Sequence, residues 1–189
     1  MASLEEKLAD LRECGIHFAS REALQVCVRM SGERGLRSVS FDSLLSRIGG
    51  DYLDAAGVLV PSGEGVWHLD TECIYDAADY VKVVDRLVRL TRGDLQLENV
   101  SAHFGETAWV RCRHNGQDHH WDLRVNDDWI DLTLIINVDG VLRASASPRR
   151  FCCFDSDTQD LLLVCPTWEE FERLGELAET DFGPVAGQW

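Results

Sequence analysis

Seven cysteines and six histidines are the side chains best suited to chemistry in this 189-residue chain, and their spacing limits what they can do. Cys112-x-His114 and the pair His119-His120 lie close together. A metal centre needs lone pairs converging from three or four side chains. A hairpin turning at Asn115-Gly116 would bring Cys112 or His114 toward His119 or His120, but adjacent strand residues face opposite ways, so only one histidine of the pair could join. Polar hairpin residues are therefore expected, with no metal and no cofactor. Asp155-x-Asp157-x-Gln159 begins like a calcium loop, yet its sixth and twelfth positions are Asp160 and Pro166 where Gly and an acid are required. A turn of solvated acids fits better. Cys152-Cys153 would face apart on a strand, and only Arg149-Arg150 stands near to lower a thiol pKa. Gly63-Glu64-Gly65 lacks the third glycine and the helix of a dinucleotide fingerprint, and GxSxG, HExxH and Walker motifs are absent.

The segment Asp127-Asp128-Trp129-Ile130-Asp131 carries more information. Its acids suit a helix N-terminus, where they complement free N–H groups and the helix dipole. Trp129 has two readings. It either staples the helix start onto the sheet, or stands exposed among charges as an interface hot spot.

Charge points toward partners. Thirty-three acidic and eighteen basic residues give −15, and the first fifty residues are balanced at seven of each sign. The whole excess lies in 51–189; no Lys or Arg occurs from Asp51 to Asp79, and six Asp face one Arg from Asp118 to Asp139. Such a field repels nucleic acid and anionic membranes and draws in basic proteins. Solubility alone accounts for the same charge equally well. The odd cysteine count, with no CxxC and with cysteines inside apolar runs such as Phe151-Cys152-Cys153-Phe154, predicts reduced, mostly buried thiols and a cytoplasmic location. The acidic, amphipathic N-terminus does not resemble a signal peptide, and no apolar run reaches membrane-spanning length.

Several elements are expected to position these groups. Ser3 with Glu6 is a capping box for a helix carrying Leu4, Leu8 and Leu11; Ser20 opens a second helix that ends near Gly32, and Asp42 caps a third. A fourth short helix is expected over Tyr52–Ala56, and a hairpin of Val58–Val60 with Val66–Leu69 about the intervening Pro-Ser-Gly-Glu-Gly. Asp76–Arg92 reads as the long helix, ended by Gly93. Strands follow near Leu95–Phe104, Ala108–Arg113 and His119–Val125, then a helix capped by Asp127 or Asp128. Strands near Arg150–Phe154 and Leu161–Cys165 flank the Asp155–Asp160 turn, and Thr167 with Glu170 caps the last helix. This order is α+β: short N-terminal helices, then an antiparallel sheet (β-meander plus hairpin) packed with helices. One domain is expected, with 1–57 a helical subdomain and 58–189 the α+β body.

Trp67-His68-Leu69-Asp70, then Asp76-Ala77-Ala78-Asp79-Tyr80, three strands ending in Gly116…Trp121, Asp128-Trp129-Ile130-Asp131, Arg150-Phe151, Thr158-Gln159-Asp160 and a final helix from Thr167 form an arrangement across 58–182. That arrangement resembles bacterial immunity proteins of polymorphic-toxin and contact-dependent inhibition systems. The resemblance implies a non-catalytic inhibitor that binds a cognate toxin domain, with a basic nuclease suiting the acidic field. For the contacts, Asp118, Asp122, Asp127, Asp128 and Asp131 would mimic substrate phosphates, and Trp129 would supply apolar burial. Two rivals stand beside it: a small enzyme using His119 or His120 with a nearby Asp as acid and base, and a non-catalytic adaptor subunit.

Overall fold

Four consecutive apolar residues, Leu161 to Val164, are all buried, and that burial organises the chain. The computed structural model describes residues 3–32, 39–155, 159–178 and 181–187. In chain order the elements are α1 (Leu4–Glu13), β1 (His17–Phe18), α2 (Arg21–Ser31), α3 (Phe41–Gly49), β2 (Asp51–Leu53), β3 (Leu59–Pro61), β4 (Gly63–Glu64) and β5 (Val66–Asp70). Then come α4 (Ala77–Leu90), β6 (Glu98–Phe104), β7 (Ala108–His114), β8 (Gln117–Leu123), α5 (Thr133–Ala144), β9 (Cys152–Asp155), β10 (Asp160–Val164), α6 (Trp168–Leu177) and β11 (Gly183–Pro184).

The fold is α+β, as the order of elements predicts. A four-stranded antiparallel sheet runs β11-β9-β10-β5, and a separate meander runs β6-β7-β8. Along β10 the side chains alternate. Leu161 and Leu163 join Trp67, Leu69, Tyr80, Leu87, Leu134 and Phe151 on one face. Leu162 and Val164 join Leu11, Ile16, Leu44, Ile48, Val66 and Leu174 on the other. The N-terminal helices and α6 thus cover one face, while α4, α5 and the meander cover the opposite one. The Asn115-Gly116 turn closes β7 onto β8 with φ of +49° and +79°, the paired left-handed geometry of a type I′ hairpin.

Four local expectations are corrected. Tyr52–Ala56 is not a helix: Asp51–Leu53 pairs with Leu59–Pro61, and the Asp54 carboxylate accepts the N–H groups of Ala56 and Val58, closing a turn instead of starting a helix. Val58–Val60 and Val66–Leu69 do not form a hairpin. The first belongs with β2, whereas β5 pairs with β10 some ninety residues away, where Trp67 and Leu69 enter one core and Val66 the other. Ser40, not Asp42, caps α3, its hydroxyl accepting the Ser43 N–H; Asp42 lies in the first turn. Neither Asp127 nor Asp128 caps α5. Asp127 has φ of +52°, bending the chain before the helix, which begins at Thr133. Ser3 and Thr167 cap as expected, each in a complete capping box, and Asp76, read from sequence as the first helical residue, caps α4 in the same way. Much of the Asp155–Asp160 turn, with the acid at 157, lies outside the described residues.

One carboxylate ties the layers together. Glu170, at the start of α6, accepts both terminal nitrogens of Arg92 at 2.9 and 2.7 Å, Arg149 Nη1 at 2.8 Å and the Thr167 N–H at 2.9 Å. Arg92 also donates to the Cys14 carbonyl at the end of α1. Gly15, at φ +71°, leaves the necessary room, since a Cβ there would meet Arg92 Nη1 at 1.7 Å. Burial alone would raise the Glu170 carboxyl, but the hydrogen bonds from Arg92 and Thr167 and the Arg92 charge outweigh it and hold the group below its ordinary 4.5. A depressed folded value means stability that is fully present above 4.5 and fades as pH falls through the folded value. The side chain is only 17% exposed, so Glu170→Gln is expected to cost about 2–3 kcal/mol in urea unfolding at pH 7, with the gap from wild type shrinking below about pH 4.5. A pH-independent difference would show that the network does not carry this stability.

Candidate functional site

The six expected contact residues divide between two places. Asp118 and Asp122 lie on the solvent face of the meander, on β8. Asp127, Asp128, Trp129 and Asp131 lie in the connection from β8 to α5. On the meander, Asp118 is held by Arg113 through two hydrogen bonds of 2.8 and 3.2 Å, which leaves little of its charge for a partner. Asp122 accepts His120 Nε2 at 3.0 Å.

The pleat sends the adjacent histidines to opposite faces. His119 lies opposite Cys112 in register, and His120 opposite Arg111. Cys112 is buried, and its thiol is pushed up to about 11 by burial, so it is a poor thiolate donor. Among the described residues, no three His, Cys, Asp or Glu side chains gather into a metal-holding group. On the solvent face, Arg111 Nε donates to His120 Nδ1 at 2.7 Å. Because guanidinium can only donate, Nδ1 is the acceptor, and Nε2 carries the proton it gives to Asp122. Both ring nitrogens of His120 are thus engaged. Trp109 lies between His103 at 5.8 Å and His120 at 5.7 Å, with the Arg111 guanidinium 4.4 Å from its ring centre. This is a cross-strand ladder that satisfies itself.

The loop group is built differently. Its backbone is laced to the β5–α4 loop: Ile74 N–H donates to the Asp128 carbonyl at 2.9 Å, Ile130 N–H donates to the Thr71 carbonyl at 2.8 Å, and Glu72 pairs with Trp129 in an isolated bridge. Asp131 turns inward, accepting the N–H groups of Arg124 at 2.6 Å and Thr133 at 3.0 Å. Burial would raise its pKa, but these two bonds lower it further. Asp131 is a structural brace. Among the described residues the Asp127 and Asp128 carboxylates have no hydrogen-bond or ion-pair partner, and Trp129 is 38% exposed, between the staple and the hot-spot readings.

The bridging places residues beside the group that spacing alone did not single out. Tyr75 is 72% exposed, and its phenol is pushed above its ordinary 10 chiefly by the Asp128 charge, with Asp70 and Glu72 adding to it. Burial raises the Cys73 thiol to about 11, and Asp70, Asp79 and Asp128 reinforce the shift. One negative focus therefore forms where two loops meet. A signal for Tyr75 existed, since it directly precedes the Asp76 cap, where an apolar residue ordinarily packs back on its helix; here it stays in solvent. Among the described residues, Asp70, Glu72, Asp127 and Asp128 form no ion pair with Lys or Arg.

Compared with known proteins, the chain matches no family model, no curated protein and no solved structure. No helix of the described residues is long and apolar enough to cross a membrane.

Asp128 and Asp131 look alike in sequence, and substitution separates them. Asp131→Ala is expected to lower unfolding free energy by about 1–2 kcal/mol, since it frees two backbone donors. Asp128→Ala should stay within about 0.5 kcal/mol. Equal losses in chemical denaturation would contradict the division between brace and free acid.

Proposed function

We propose that this chain is an immunity protein acting in the cytoplasm, a stoichiometric inhibitor that binds the basic domain of a bacterial toxin and occludes its active site. The observation that carries the reading is the cluster of carboxylates, Asp70, Glu72, Asp127 and Asp128, that form no ion pair with Lys or Arg among the described residues and lie near the exposed rings of Tyr75 and Trp129. Such carboxylates meet the Lys and Arg side chains by which a nuclease holds phosphate, and the rings supply apolar area that locks the complex. The net charge of −15 adds long-range steering. The seven free cysteines agree with a reducing compartment. Asp122, at the edge of the meander, extends the acidic margin, while Asp118 and Asp131 have internal partners and contribute through the fold.

Two kinetic signatures follow. Association with the purified toxin-domain product of the adjacent gene is expected to slow steeply between low and high salt, because screening acts over about 8 Å at physiological ionic strength. Charge reversal at Asp127 and Asp128 should slow association, while Trp129→Ala and Tyr75→Ala should mainly hasten dissociation, by roughly tenfold for about 1.4 kcal/mol lost. Association that ignores salt would remove the steering role. A wild-type chain that neither binds that product nor rescues growth would end the inhibitor reading.

A further inference from the structure

A cleft of about 530 Å³ opens between the β2–β3 ribbon and α4, and its loop end reaches the acidic focus through Asp70 and Cys73. Its floor is apolar, with Trp67 and Leu69 from β5, Val83 from α4 and Leu59 from the ribbon, while charged side chains such as Asp51, Lys82 and Arg86 form its rim and the Arg86 guanidinium lies 5.5 Å from the Trp67 ring centre. Leu59 and Leu53 are each 64% exposed and Val58 is 55% exposed, so one short ribbon holds three large apolar side chains in water beside this cleft. Clustered apolar exposure beside a concavity marks a surface that something covers.

Charge decides the occupant. Within the cleft, Arg86 pairs with Asp51 at 2.9 Å and Lys82 with Asp79 at 2.8 Å, so the cations of α4 are neutralised. Asp70 is left without a cation among the described residues, and Glu72 and Asp128 lie close by. A second copy of the chain would bring another −15, and a nucleic acid or an anionic membrane meets the same repulsion. A basic protein does not.

We infer that the cleft is an anchor pocket for an extended segment of a basic protein, in which an apolar side chain is flanked by Lys or Arg. The apolar group packs on Trp67, Leu69 and Val83 beneath Leu59, and the flanking cation pairs with Asp70 at the loop end. The inference depends on the inhibitor reading only for the identity of the protein that supplies the segment.

The direct test is an amide and indole NMR titration of the full chain with three blocked peptides of about nine residues: alternating Lys and Leu, Lys and Ser, or Glu and Leu. Saturable shifts at Trp67, Asp70 and Val83 are expected with the Lys–Leu peptide alone, weakened at least fivefold by Leu59→Glu, a surface change, and by Asp70→Asn. No saturable shift, equal shifts with the Lys–Ser peptide, comparable binding of the Glu–Leu peptide, or shifts confined to the Trp109 face would each overturn the inference. The toxin domain keeps the two readings apart. If it binds Leu59→Glu as tightly as wild type, the anchor pocket falls and the inhibitor stands. If wild type ignores the toxin domain while the Lys–Leu peptide still fills the cleft, the pocket stands and the inhibitor falls.

Discussion

A sheet buried on both faces is the constraint on which the structure depends. Strands β5, β9 and β10 send alternate side chains into two separate cores, Trp67, Leu69, Leu161 and Leu163 to one side and Val66, Cys152, Leu162 and Val164 to the other. A slip of one residue in β10 would exchange the two sets and mismatch both cores at once, so the register is fixed from both directions. The helices α1, α3 and α6 are needed on one face, and α4, α5 and the meander on the other. Glu170 with Arg92 and Arg149 then joins the end of α1, the end of α4 and the start of α6 at the margin of that sandwich.

Acidic residues serve two physical roles in this fold. Glu170, Asp139 and Asp131 are placed where hydrogen-bond donors converge, and their charges hold the elements together. Asp70, Glu72, Asp127 and Asp128 form no ion pair with Lys or Arg among the described residues, although Asp70 accepts the Glu72 N–H, so their charge is not neutralised by a neighbouring cation. The two groups approach one another at the laced loops, where Asp131 fixes the connection that presents Asp128 and Trp129. Rigid bracing beneath an exposed patch reduces the entropy lost on docking, which favours slow dissociation.

Local signals were legible in the sequence, and distant pairings were not. Ser3, Asp76 and Thr167 each cap a helix through their own side chains, and Asn115-Gly116 demands the hairpin that forms. Nothing near Val66–Leu69 announces a partner at Leu161–Val164, because that pairing is set by two-sided burial that appears only after both cores assemble. The same limit governed the site. Asp127, Asp128 and Trp129 could be singled out as an acid–aromatic group, but the backbone bridges that bring Glu72 and Tyr75 beside them join segments more than fifty residues apart. Asp128 and Asp131 were indistinguishable until the donors around Asp131 were in view.

The face shared by the two laced loops is the centre of the functional reading, and hydrogen exchange probes it most directly. Amides of 70–79 and 126–132 would be followed in the free chain and after addition of the proposed toxin-domain partner. Binding at this face predicts slowed exchange in both segments together, with the solvent face of β7 and β8 unchanged. Slowed exchange confined to β7 and β8 or to the N-terminal helices, with both loops unaffected, would contradict it.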